Sequence, residues 1–169
     1  EYRIIVVNSK GDTVLNQGDL YFEFEFHDFN GDSLSDIVVH PLTNVPGIQN
    51  LLLFDKVKMS FTQVSDFESF PNPKPILGTK YFYSYHRSGC ADNYWESDLF
   101  YIEEFKTHLL ANISGNECEG EKGIIVSKSF AGERKIVDKF PIEILEKYDD
   151  QKWGFIADYW KKNYSKFIK

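Results

Sequence analysis

The stretch that decides the fold runs from Phe22 to His40 and reads FEFEFHDFNGDSLSDIVVH. Its first half, taken from Leu20, alternates strictly. Leu20, Phe22, Phe24 and Phe26 point one way, and Tyr21, Glu23, Glu25 and His27 point the other. A period of two puts apolar side chains on one face of a strand and polar ones on the other. The expectation is an antiparallel strand over Leu20–His27 with one face on the core and one in water. The apolar run Ile37-Val38-Val39 predicts a second strand.

Between them lies an acidic loop, Asp28 to Asp36, with Asp28, Asn30 and Asp32 at alternate positions. Calcium takes about six to eight oxygen ligands at about 2.3–2.6 Å. Asp28, Asn30, Asp32 and Asp36, with the carbonyl of Leu34, have the spacing to supply them. An EF-hand is excluded: Ser33 replaces its glycine, Val39 stands where its bidentate Glu belongs, and both flanks read as strands. The D-x-N-G-D-x-x-x-D-I-V pattern resembles the integrin-type (FG-GAP) calcium loops found between strands. A metal-free turn rich in Asp and Asn is the other reading of the same residues.

Working outward, Tyr2–Asn8 is a short β-rich run, and Thr13–Gln17 is its hairpin partner across Ser9-Lys10-Gly11-Asp12. Further strands are expected at Leu51–Phe54, Met59–Val64, Tyr81–His86, Tyr94–Ile102, Phe105–Ile113, Gly123–Phe130 and Lys135–Phe140. Pro71, Pro73 and Pro75 keep Asp66–Leu77 irregular or extended. The period then changes. Ile142–Tyr148 reads as a short helix entered through Pro141. Trp153, Ile156, Trp160, Tyr164 and Phe167 recur at helical spacing, marking an amphipathic helix that packs on a core or binds a partner.

The fold class expected is mainly β, an antiparallel sandwich or barrel-like single domain over 1–169. Residues 1–140 form its β core, and 141–169 form a helical extension packed on it. The bulk numbers agree. The chain has 169 residues, and 17% are aromatic, a class that favours strands. A net charge of -7 argues against nucleic acid, whose phosphates need clustered Lys and Arg. No apolar run approaches the roughly 18 residues of a membrane span. The chain starts at Glu1 rather than Met, so we expect a removed N-terminal segment of the signal or lipoprotein kind. Cys90 and Cys118 form no Cys-x-x-Cys pair and read either as one disulfide or as two buried thiols.

No catalytic signature stands out, and no enzyme is expected. His27, His40, His86 and His108 are scattered without metal-ligand spacing, and no Gly-x-Ser-x-Gly elbow or phosphate loop occurs. The turn Arg87-Ser88-Gly89-Cys90-Ala91-Asp92-Asn93-Tyr94-Trp95 instead gathers a guanidinium, a hydroxyl, an amide and two aromatics. Arg, Tyr and Trp are common interface anchors. An ordinary polar hairpin with its aromatics folded back on the sheet would use the same residues.

Taken together, Asp28-x-Asn30-Gly31-Asp32 running into Asp36-Ile37-Val38-Val39, Leu51–Asp55, the strand ending Arg87-Ser88-Gly89-Cys90-Ala91 and the Tyr-Trp-Glu strand resemble one family. It is that of the bacterial periplasmic proteins of the invertebrate-type lysozyme inhibitor fold, which includes immunity lipoproteins against peptidoglycan hydrolases. The resemblance covers about Leu20 to Cys118. It implies a secreted, periplasmic or outer-membrane-anchored protein that binds calcium and inhibits a lysozyme-type hydrolase. A Ser-Gly loop enters the enzyme's cleft and offers donors to its catalytic carboxylates. Carried over, Ser88, Gly89 and Tyr94 would be inserted; to these the residues themselves add Arg87, whose guanidinium can pair with a carboxylate, and Trp95 as an interface anchor. The envelope location implies a Cys90–Cys118 disulfide. A calcium-dependent glycan- or protein-binding module is the alternative. The chain departs from the family in Pro41–Gln49, where members carry a Gly- and Tyr-rich stretch, and in its last fifty or so residues.

Overall fold

The computed structural model describes residues 3–18, 23–118, 120–130 and 133–168. Mainly antiparallel β structure with one C-terminal α-helix is what these residues form. They gather in two compact units: Glu1–Ser69 with Glu103–Thr107, and Phe70–Ile102 with His108–Lys169. No helix among the described residues is long and apolar enough to cross a membrane.

The first unit opens with the hairpin β1 (Ile4–Val7) and β2 (Thr13–Gln17), paired Ile4 to Gln17. Beside it is a four-stranded sheet of β3 (Glu23–His27), β4 (Asp36–His40), β5 (Asn50–Asp55) and β6 (Ser60–Gln63), in that spatial order. Ile4, Ile37, Val39 and Leu52 make its core, with Val6, Leu15 and Phe61 packed against them. Leu20 to Phe22 lie outside the described residues. For the rest of that strand the alternation is present but the burial is not. Phe24 and Phe26 pair with Val39 and Ile37, yet they are 45% and 50% exposed. The reason is position: β3 is the edge strand, so the core is built on β4 and β5, whose Ile37, Val38, Leu51 and Leu52 are buried. The two rings cover each other edge to face at 5.8 Å.

The second unit is built on a seven-stranded sheet, of which only residues within Glu103–Thr107 count with the first. It contains β7 (Lys74–Pro75), β8 (Tyr81–Tyr83), β9 (His86–Gly89), β10 (Tyr94–Glu103), β11 (Lys106–Asn116), β12 (Gly123–Phe130) and β13 (Glu133–Phe140). The single strand expected over Tyr81–His86 is split: Ser84 N–H still donates to the Asp98 carbonyl of β10, but Tyr85 N–H turns away to the Pro71 carbonyl. Ile142–Lys147 is a 3-10 helix, and α1 spans Lys152–Asn163.

Helix α1 lies on the sheet through Phe155, Ile156, Tyr159 and Trp160, which join Trp95, Leu99, Ile113, Ile124 and Val126 in one core. Burial of such side chains contributes about 1.5–3 kcal/mol each. Trp160 is completely buried, and its indole N–H donates to Ser97 Oγ at 2.8 Å. The stripe read from the sequence needs correction. Phe155 and Tyr159 belong to it, whereas Trp153, in the first turn, is 44% exposed. Trp153 covers the Tyr85 ring instead, at 3.9 Å between centroids.

Candidate functional site

The hairpin from β9 to β10 is built on an unusual backbone. Gly89, Cys90, Ala91 and Asp92 have φ of 125°, 49°, 50° and 76° in succession. Glycine tolerates the left-handed side of φ without cost, but the three residues after it do not. Each such residue costs on the order of 1 kcal/mol and persists only where its surroundings over-determine it.

Three ties do so. Cys90 and Cys118 form a disulfide, fixing the loop to the segment after β11. Asp92 accepts from the Tyr85 hydroxyl and from Lys152 Nζ at 3.0 Å, and Lys152 also donates to the Asp92 carbonyl at 2.8 Å. Asn93 N–H donates to the Cys90 carbonyl at 3.0 Å, and Glu117 N–H to the Asn93 carbonyl at 2.8 Å. The charges follow this geometry. Burial pushes the Asp92 carboxyl up, but the Tyr85 and Lys152 contacts outweigh it and hold the group below its ordinary value. Burial and the Asp92 hydrogen bond drive the Tyr85 hydroxyl well above its own.

On this frame Arg87, Ser88, Gly89, Cys90 and Ala91 are exposed. Arg87 Nε stands 3.9 Å from Asp92 Oδ1, a loose ion pair that leaves its side chain 62% exposed. Tyr94 is half-buried at the foot of the hairpin, its ring flanking Gly89.

Trp95 does not belong to the exposed set. Successive strand residues point to opposite faces, so Trp95 turns into the core and is 1% exposed. Its indole lies flat on β11, where a Cβ at Gly115 would come within 2.1 Å of the ring. Its N–H donates to Glu117 Oε1 at 2.8 Å. The partner-binding role expected for it is replaced by a structural one.

Sequence reasoning missed the network under the hairpin. His86 Nε2 stands 3.7 Å from Glu96 Oε2. Asn112 Nδ2 donates to that same oxygen at 3.1 Å and to the buried Asp98 Oδ1 at 2.8 Å. The Glu96 carboxylate raises the imidazole above its ordinary value, and the imidazole in turn lowers Glu96. Burial raises Asp98. The signal available was the period of two in β10, which puts Glu96 and Asp98 on one face.

An open cleft of about 600 Å³ adjoins the hairpin, bounded by Ser88, Tyr94 and Glu96 and by the ends of β11, β12 and β13.

In the acidic loop the side-chain oxygens serve the loop's own amides. Asp28 accepts from Gly31, Asp32 and Ser33 N–H at 2.8–2.9 Å, Asn30 from Asp32 N–H, and Asp32 from Leu34 N–H. Asp36 is 1% exposed and takes Phe29 N–H at 3.0 Å and Phe54 N–H at 2.9 Å, which ties the loop to β5. Burial raises its carboxyl above the ordinary value. Among the described residues no group of three or more His, Cys, Asp or Glu side chains converges as a metal cage. As placed, the side chains of Asp28, Asn30, Asp32 and Asp36 are engaged by backbone amides, that of Leu34 among them.

No family model and no curated protein matches the chain. A solved structure described as that of a Xanthomonas type IV secretion system related protein superposes with a TM-score of 0.55 at 16% identity. The match covers 71% of this chain and 62% of that one, less than two thirds of its length. At that identity the likeness is one of fold.

Proposed function

We propose that this is a binding protein of the bacterial cell envelope that inhibits a lysozyme-type peptidoglycan hydrolase, with the hairpin Arg87–Tyr94 as the inserted element. One observation carries the reading. An exposed Ser-Gly tip leads into a left-handed run that is held by a disulfide, an ion pair and two backbone hydrogen bonds. A loop rigid before binding loses little entropy on binding, which favours tight insertion into a cleft.

Such a hydrolase presents two catalytic carboxylates, at least one of them ionised. Ser88 Oγ–H, the backbone N–H groups beside Gly89 and the Arg87 guanidinium are donors suited to them. The net charge of -7 favours rapid encounter with a basic enzyme. Calcium has no part in this binding step. In the proposal it is a stabiliser of the Asp28–Asp36 loop, taken up if the Asp28 and Asp32 side chains turn from their amides.

The test is inhibition of purified lysozymes of the chicken, goose and invertebrate classes on cell-wall suspensions. Stoichiometric loss of turbidity clearance with at least one class supports the proposal. Full activity with every class, at protein excess, refutes it.

A further inference from the structure

The cleft beside the hairpin has a chemistry of its own. Its volume of about 600 Å³ falls in the range that holds small organic ligands. Of its three aromatic residues Tyr94 stands at the wall, fixed against Gly89, while Trp95 and Phe140 turn their rings to the core, Phe140 edge to face with Phe155 at 5.5 Å and Tyr159 at 5.8 Å. Beside Tyr94 the lining includes Ser88 and Ser114. Its charges are mixed: Glu96 and Glu121 against Lys122 and Lys139.

That mixture excludes several occupants. A nucleotide or other polyanion meets two carboxylates, and a cationic peptide meets two ammonium groups. An aliphatic chain would bury hydroxyls and charges without partners, at a cost of about 1–3 kcal/mol for each polar group. A polyhydroxylated ring compound satisfies every group present. Its hydroxyls donate to Glu121 and accept from Lys122 and Lys139, while one C–H face lies on the Tyr94 ring. A glycine also leaves room at the edge of the cleft. Gly123, opposite Asn116, carries no side chain at that corner of the sheet, whereas the bare face of Gly115 is covered by the Trp95 indole.

We infer that this cleft binds a short oligosaccharide, with a sugar face against Tyr94. The inference goes beyond hydrolase inhibition and does not depend on it, because glycan binding is read with no enzyme present.

The experiment is an NMR titration of the full chain with tri-N-acetylchitotriose, with maltotriose as a second sugar and tetraglutamate and tetralysine as charged controls. The expected result is saturable shifts of the Gly115, Gly123 and Ile125 amides with at least one sugar. Tyr94→Ala should weaken that binding roughly tenfold, and Ser114→Trp, which fills the cleft, should abolish it. The wild-type shift map stands without the variants. No shift with either sugar up to about 10 mM, a concentration corresponding to very weak affinity, overturns the inference. So does a shift with only a charged peptide, or sugar shifts that map outside the cleft.

Discussion

Replacing both Cys90 and Cys118 with alanine removes the covalent tie across the hairpin while leaving the Tyr85–Asp92–Lys152 contacts in place. The two cysteines are 28 residues apart in sequence. In the chain-entropy description, closing a loop of that length removes about 12 cal/mol/K from the unfolded chain, or about 3.6 kcal/mol at 25 °C. Little packing disappears with the bridge, since Cys90 is exposed. The left-handed run at Cys90, Ala91 and Asp92 opposes the entropic effect. Freeing it relieves on the order of 1 kcal/mol per residue that relaxes. The net expectation is therefore a loss of about 0.6–2.6 kcal/mol, as three residues or one relax, smaller than the entropic figure alone. Urea unfolding of the wild type and the double alanine variant, followed by tryptophan fluorescence, measures it. A loss at or above the full figure of about 3.6 kcal/mol would refute the view that the bridge holds the hairpin in an otherwise unfavourable conformation.

Other outcomes follow from the same geometry. His86 has a raised value in the folded chain, so its contribution to stability is complete below about 6.5 and is lost as pH rises through that raised value. Glu96 is lowered, so its share is present above about 4.5 and is lost as pH falls through its own. Thermal melts across pH should therefore show a fall on the alkaline side that His86→Gln removes, with Asp98 and Arg134 as the other charges acting at this site. An unchanged alkaline limb in that variant would contradict the pairing. Gly115→Ala places a Cβ within 2.1 Å of the Trp95 ring. It should cost about 3 kcal/mol or more, as overpacking does, with a matching drop in Tm, and a neutral result would show that Trp95 can move aside. Calcium at millimolar concentration should raise Tm if the Asp28–Asp36 loop takes up the ion, and Asp28→Asn should abolish the rise. Identical melts in calcium and in chelator would show that the loop closes on its amides alone.

The strands were readable because the period of two is local. Ile37–Val39, Leu51–Phe54 and Thr13–Gln17 sit where their side-chain patterns place them. Burial was less readable, because it depends on strand order. Phe24 and Phe26 alternate as core residues do, but an edge position leaves them half exposed. Trp95 shows the reverse: grouped by sequence with the hairpin's polar residues, it points inward by strand parity, and the bare backbone at Gly115 gives it room. The clamp on Asp92 could not be read at all. Its cation, Lys152, lies 60 residues away, and only folding of α1 onto the sheet brings the two together. The His86–Glu96–Asn112–Asp98 network was legible only in part: the period of two sets Glu96 and Asp98 on one face of β10, but only the fold brings in His86 and Asn112 from two other strands.

The central claim is that the exposed Ser88–Gly89 tip enters the cleft of a peptidoglycan hydrolase. The most direct measurement is the inhibition constant against a hydrolase that the wild type blocks, compared with that of Ser88→Glu. The substitution sets a carboxylate against the enzyme's own carboxylates without touching the core, since Ser88 is exposed. The account predicts a loss of inhibition of at least a hundredfold, about 2.7 kcal/mol, with an unchanged melting temperature. Inhibition by Ser88→Glu equal to that of the wild type would contradict it.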